Sequence, residues 1–153
     1  MSDEQAIPAA SETPLPVVAR TDWFLQTLVS TVTSASASLP VTICVGGSVI
    51  TGELISGKRY FNEFADAIAA GMTDETREDV RNAYRAYGKQ VYGDDGSDAE
   101  SINGGEPPQY LHLAKAKYIT TDGRLMPSPP GMLWRGRISA VAGWSYGTFE
   151  PSP

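Results

Sequence analysis

From Phe24 onward the apolar positions first recur at helical spacing, then alternate, then recur helically twice more, then alternate again. Phe24, Leu25, Leu28, Val29 and Val32 form one stripe, which predicts a helix over Thr21–Ala37. Thr21 is the expected N-cap, with Asp22 in the polarised first turn, and Pro40 is expected to close the segment. The Ser/Thr-rich stretch from Ser30 to Ser38 weakens this helix, because those side chains compete for backbone hydrogen bonds.

Strand spacing follows. Val41, Ile43 and Val45 alternate with Thr42 and Cys44, and Gly46-Gly47 is a two-residue hairpin signal. The return strand runs from Ser48 to Ile55, with Gly52 predicting a bend or a close backbone contact. Cys44 is expected half-buried, as a reduced and inert thiol. After Gly57 helical spacing resumes at Tyr60, Phe61, Phe64 and Ile68, with Gly71 as the expected C-cap. Thr73 is placed to cap a second insert helix, with Asp74 and Glu75 in its first turn and a stripe of Val80, Tyr84, Tyr87 and Val91. Residues 93–108 read as an acidic linker rich in Gly and Pro. The acid spacing there does not match a calcium loop.

The last third alternates again. Strands are expected over Tyr110–Thr120, Leu133–Ala142 and Trp144–Phe149, with a turn at Thr121-Asp122-Gly123 and a stiff connection through Pro127, Pro129, Pro130 and Gly131. The order helix, hairpin, helical insert, three strands predicts an α+β fold with a small, bent antiparallel sheet. Its leading helix, its bend at Gly52 and its late Arg-Gly strand resemble an Sm-like open barrel.

Composition narrows the function. The chain has 153 residues, a length that favours one domain, expected over residues 21–149. Residues 1–20 are acidic and proline-rich and read as a disordered arm, and residues 150–153 as a short tail. Met1–Ala10 lacks an apolar core, so it is not expected to be a signal peptide, and no run is long enough to span a bilayer. A soluble, cytoplasmic protein is expected. One cysteine excludes an internal disulfide, and one histidine, His112, excludes a multi-histidine metal cluster. No phosphate loop or Gly-x-Ser-x-Gly elbow occurs, and Ser56 near Lys58 is a weak pairing. No catalytic residue, cofactor or metal is expected, and His112 reads as a packed side chain rather than a general base.

Charge is segregated along the chain. Residues 71–109 hold four bases and nine acids, whereas residues 110–153 hold five bases and two acids. Lys115 and Lys117 share one strand parity and Arg135 and Arg137 share another, so a basic sheet face is expected. That face is open to three readings: a solvated surface, a dock for the acidic linker or tail of a neighbouring copy, or a phosphate or RNA site. The net charge of −6 weighs against RNA. Trp134, Trp144 and Tyr146 complete the candidate interaction surface, as core or as interface anchors. Gly46, Gly47, Gly52, Gly136 and Gly143 are the candidate structural glycines.

Three stretches carry a family resemblance: GGSVITGELISGKRYF at 46–61, YLHLAKAKYI at 110–119 and LWRGRISAVAGWSYG at 133–147. Together they resemble the gas vesicle protein GvpU family. The Trp-Arg-Gly-basic-Ile stretch from Trp134 to Gly143 is the most specific part. The resemblance implies an accessory protein of gas vesicles, without catalysis or cofactor. It implies that such proteins modulate vesicle assembly or vesicle–vesicle association. The expected partners are the vesicle shell or other gas vesicle proteins and further copies of the chain. Neither a membrane nor nucleic acid is expected. The vesicle wall subunit is short and strongly apolar, whereas this chain has a mean hydropathy of −0.22. The competing expectations are an Sm-like RNA-binding or oligomeric scaffold module, and a small enzyme using His112.

Overall fold

The computed structural model describes residues 20–93 and 106–150. The expected arm, the tail after Glu150 and nearly all of the acidic linker lie outside the described residues.

Helix α1 spans Trp23–Ala35. Its N-cap is Asp22, not Thr21: the Asp22 carboxylate accepts from the amides of Phe24 at 2.8 Å and Leu25 at 3.1 Å. Two orphan donors are thereby satisfied. Ser36 ends the helix in the left-handed conformation at φ 49°. Pro40 does not close a segment but sits inside strand β1, Leu39–Val45, where its carbonyl accepts from the Gly147 amide.

Gly46 and Gly47 turn at φ 57° and 80°, as a tight primed hairpin requires. Strand β2, Ser48–Ile55, returns in register. The expected bend at Gly52 is present. A Cβ there would lie 3.0 Å from the Ala114 carbonyl oxygen and 3.1 Å from the Ala116 Cα. The β2–β3 register slips at this point, and Lys115 opposite adopts φ 52°. Only a residue without a side chain lets the two backbones approach this closely.

Helices α2, Gly57–Ala70, and α3, Asp74–Tyr92, form the insert. Ser56 caps α2 by accepting from the Arg59 amide, a role that accounts for this serine without chemistry. Strand β3 spans Tyr110–Ile119, β4 Leu125–Met126, β5 Met132–Arg137 and β6 Val141–Tyr146. The short β4 follows the expected turn at Gly123. The single strand expected over 133–142 is instead broken by a 3-10 turn at Ile138–Ala140. Ile138 is buried, and its amide donates to the Gln109 carbonyl, so the chain is pinned where it changes direction.

The antiparallel sheet runs β6-β1-β2-β3, and β4 and β5 share the far edge of β3. β5 and β6 therefore lie at opposite edges although only Ile138–Ala140 separates them. A flat sheet would hold them roughly 19 Å apart, four spacings of ~4.8 Å. Four residues reach at most ~14 Å. The sheet must curl until its edges approach, which leaves an open, curved antiparallel sheet with α1 against its inner side. Inside it, Leu25, Val29 and Val32 of α1 belong to one buried cluster with Ile43, Ile50, Leu54, Leu111, Leu113 and Ile138.

The outer face carries the insert. Ile55 and His112 are paired residues, and Tyr60, Phe61 and Tyr92 surround the imidazole at ring distances of 4.7, 6.4 and 5.9 Å. α3 packs on α2 where Tyr84 meets Phe64 at 5.3 Å and Gly88 lies beneath Phe61. The stripe expected on α3 is therefore rotated: Tyr87 and Val91 are exposed, and Gly88 and Tyr92 take their place. Helical spacing alone does not weigh a glycine as a contact residue. Cys44 is also more exposed than expected.

Candidate interaction surfaces

The seven candidate surface residues do not form one surface. Direct strand pairs share a face, and Arg135 and Arg137 oppose His112 and Tyr110 on the outer face. Lys117 opposes Thr51 on that same face. The bulge turns Lys115 toward β2, where its ammonium meets Glu53 at 2.7 Å. Lys115 and Lys117 line a shallow cavity with Glu53 and Glu150, so this end is balanced in charge.

The other end is not balanced. Arg135 Nε donates to His112 Nε2 at 3.3 Å, and its guanidinium lies 3.6 Å over the Tyr110 ring. Arg137 lies against the Tyr110 hydroxyl and, with its charge, holds that phenol below its usual value. His112 is 1% exposed, and burial, with Arg135 beside it, pulls its pKa down to about 3. The imidazole is thus neutral at pH 7 and accepts at Nε2. That is the packed histidine expected from the sequence, held by aromatic rings whose contribution the sequence does not announce.

The aromatic candidates divide as well. Trp134 faces the core cluster, lies across Gly136 and donates from Nε1 to the Tyr118 hydroxyl at 3.2 Å. Trp144 and Tyr146 are on β6, at the opposite edge. Trp144 donates from Nε1 to Asp22 Oδ2 at 2.9 Å, which holds the Asp22 carboxyl below the usual carboxylate range. Phe24 stands 5.4 Å from Trp144, and Trp23 stands 5.7 Å from Phe24. Trp23, Phe24 and Tyr146 are 74%, 53% and 72% exposed. Sequence reasoning misses Trp23 and Phe24 because they look like the ordinary opening of an amphipathic helix. Gly143, beside Trp144, has open space over it.

The folded core is bounded by Asp22 at one end and the Phe149 amide, bonded to Thr51, at the other. The gas vesicle protein GvpU-like family matches residues 22–149, the same span and nearly the whole chain. The chain belongs to the GvpU-like family. It is therefore a gas vesicle protein. None of the curated proteins matches it. No solved structure matches it either, so the Sm-like comparison gains no relative. Among the described residues no helix is long and apolar enough to cross a membrane. Nor do three or more His, Cys, Asp or Glu side chains gather there as a metal site.

Proposed function

We propose that this GvpU-like protein is a non-enzymatic accessory factor that modulates gas vesicle assembly or vesicle–vesicle clustering, through contacts with the vesicle surface and with further copies of itself. The observation that carries this reading is the aromatic surface at the β6 edge. Trp23, Phe24 and Tyr146 are each more than half exposed beside the half-buried Trp144. Large aromatics held on rigid elements are the usual anchors of protein contacts. Among the described residues β6 pairs with β1 alone, which leaves its outer backbone groups open to a further strand. A protein with one surface for the vesicle wall and another for its own copies bridges vesicles by multivalent contact. The family supports association with gas vesicles, and we place the protein beside them in the cytoplasm.

Co-flotation tests the reading. Purified protein is mixed with purified gas vesicles and the buoyant layer is assayed. The native chain should rise with the vesicles and enlarge their clusters by light scattering. Trp23→Ser with Tyr146→Ser should rise at least about tenfold less, the loss of one or two anchor residues. Native protein that stays in the subnatant at every salt concentration removes direct vesicle binding. The Sm-like RNA-binding alternative rests on Lys115, Lys117, Arg135 and Arg137, which the sheet divides between two separate clusters.

A further inference from the structure

Arg135 and Arg137 differ from the arginines of the insert and the β3–β4 turn. Arg59 pairs with Glu63, Arg77 with Asp74, Arg81 with Asp66 and Glu78, Arg85 with Asp66, and Arg124 with Asp122. Arg135 and Arg137 meet no carboxylate among the described residues. Arg135 is nonetheless held by two contacts. The His112 bond and the Tyr110 ring orient the Arg135 guanidinium, and the Tyr110 hydroxyl lies against Arg137. His112 is buried and neutral, so it anchors Arg135 without adding a competing charge. Gln109 and Ser139 join Tyr110 and Arg137 around a cavity of about 230 Å³ at this edge. Two guanidinium forks on one face, meeting no carboxylate among the described residues, match the planar geometry of carboxylates.

We propose that this pair docks the acidic stretch of a second copy, residues 94–106. The stretch holds five acids, Asp94, Asp95, Asp98, Glu100 and Glu106, and no base. The inference rests on the proposed self-association and names the groups that carry it. The ligand is protein rather than nucleic acid because the chain carries a net charge of −6, which opposes a polyanion with no positive field elsewhere. The donor stretch and the acceptor pair are different patches, so each copy offers one of each. Contacts of this heterologous kind extend into chains or rings rather than closing at a symmetric dimer. Open-ended assembly is what bridging many vesicles requires.

The test uses the full chain without vesicles, so failure of vesicle binding and failure of this site read separately. A synthetic peptide of residues 93–106 is titrated into the chain by calorimetry, and self-association is followed by sedimentation velocity. The native chain should bind the peptide and self-associate at low salt. Both should weaken about tenfold or more as the Debye length shrinks from ~10 Å at about 0.1 M to ~3 Å at about 1 M salt. Arg137→Gln, which leaves the His112 contact intact, should weaken the peptide at least about threefold, and Arg135→Gln with Arg137→Gln should abolish binding. Replacing Asp94, Asp95, Asp98 and Glu100 by their amides should lower self-association while peptide binding persists.

Undiminished peptide binding by Arg137→Gln and the double variant overturns the proposal. If the double variant does not melt like the native chain, Arg137→Gln alone decides. A native chain that neither binds peptide nor self-associates, while the amide variant does bind peptide, places the acidic stretch on its own chain and overturns the second-copy assignment. A generic single-stranded RNA that displaces the peptide and binds more tightly makes this a nucleic-acid site and overturns it too.

Discussion

The two faces of the sheet are both covered, by unlike chemistry. On the inner face α1 lays Leu25, Val29 and Val32 against Ile43, Ile50, Leu54, Leu111 and Leu113, each 5% exposed or less. Nothing in that set titrates. On the outer face α2 and α3 lay Tyr60, Phe61, Phe64, Tyr84 and Tyr92 over a surface centred on His112. These rings are only half-buried, and burial pushes the Tyr60 and Tyr92 phenols up. An aliphatic face supplies stability without regard to pH. An aromatic face built on a neutral histidine supplies stability that holds only while the histidine stays neutral. The same outer face presents Arg135 and Arg137, so the less uniform packing is also where the exposed chemistry lies.

A cavity opened on the inner face should cause the largest loss of stability. Leu54→Ala or Leu113→Ala removes a fully buried side chain and should cost ~2–5 kcal/mol, read by denaturant or thermal unfolding. Its magnitude should be the same at pH 7 and pH 5.

The outer face should then show a pH dependence that the inner face lacks. The folded pKa of His112 is about 3 and its unfolded value 6.5. Between these values the unfolded chain binds one more proton, so stability rises with pH. Its contribution is fully present above pH 6.5 and is lost as pH falls toward about 3. Each tenfold difference in proton affinity between the folded and unfolded chain is worth ~1.4 kcal/mol, so the loss is on the order of a few kcal/mol across the window. His112→Gln, which keeps a polar acceptor for Arg135, should flatten that slope; a slope unchanged in the variant would assign it to other groups.

A smaller effect should come from the α1 cap that joins the helix to β6. Asp22→Ala removes the carboxylate that accepts from two helix amides and from the Trp144 indole, and should cost ~1–2 kcal/mol. Asp22→Asn, which retains the cap, should recover most of it. The smallest stability effect belongs to the exposed aromatics. Trp23→Ser and Tyr146→Ser should change unfolding by ~0.5 kcal/mol or less, which leaves them clean probes of association.

Much of the fold is legible in the chain. Alternation and the Gly46-Gly47 pair give the first hairpin, and Gly52 gives the bend, because glycine at those positions has few other uses. The misreadings share a cause: each depends on a partner distant in sequence. Asp22 outcompetes Thr21 as cap while also meeting Trp144, 122 residues away. The strand expected over 133–142 breaks because Ile138 is drawn into a core assembled from α1 and three strands. Tyr87 and Val91 turn outward because Gly88 lets α3 approach Phe61.

Local period, turn chemistry and short residue patterns are enough to give the α+β order of elements, the first hairpin and the family. The segregation of acids and bases along the chain is equally a matter of residue order. Which bases stand together depends instead on the pairing of distant strands. One bulge sends Lys115 to Glu53, and one buried histidine holds Arg135 with Arg137 beyond the reach of any described carboxylate. Strand parity is a local property, but a one-residue slip in pairing reverses it, and pairing is set by contacts between segments far apart in the chain.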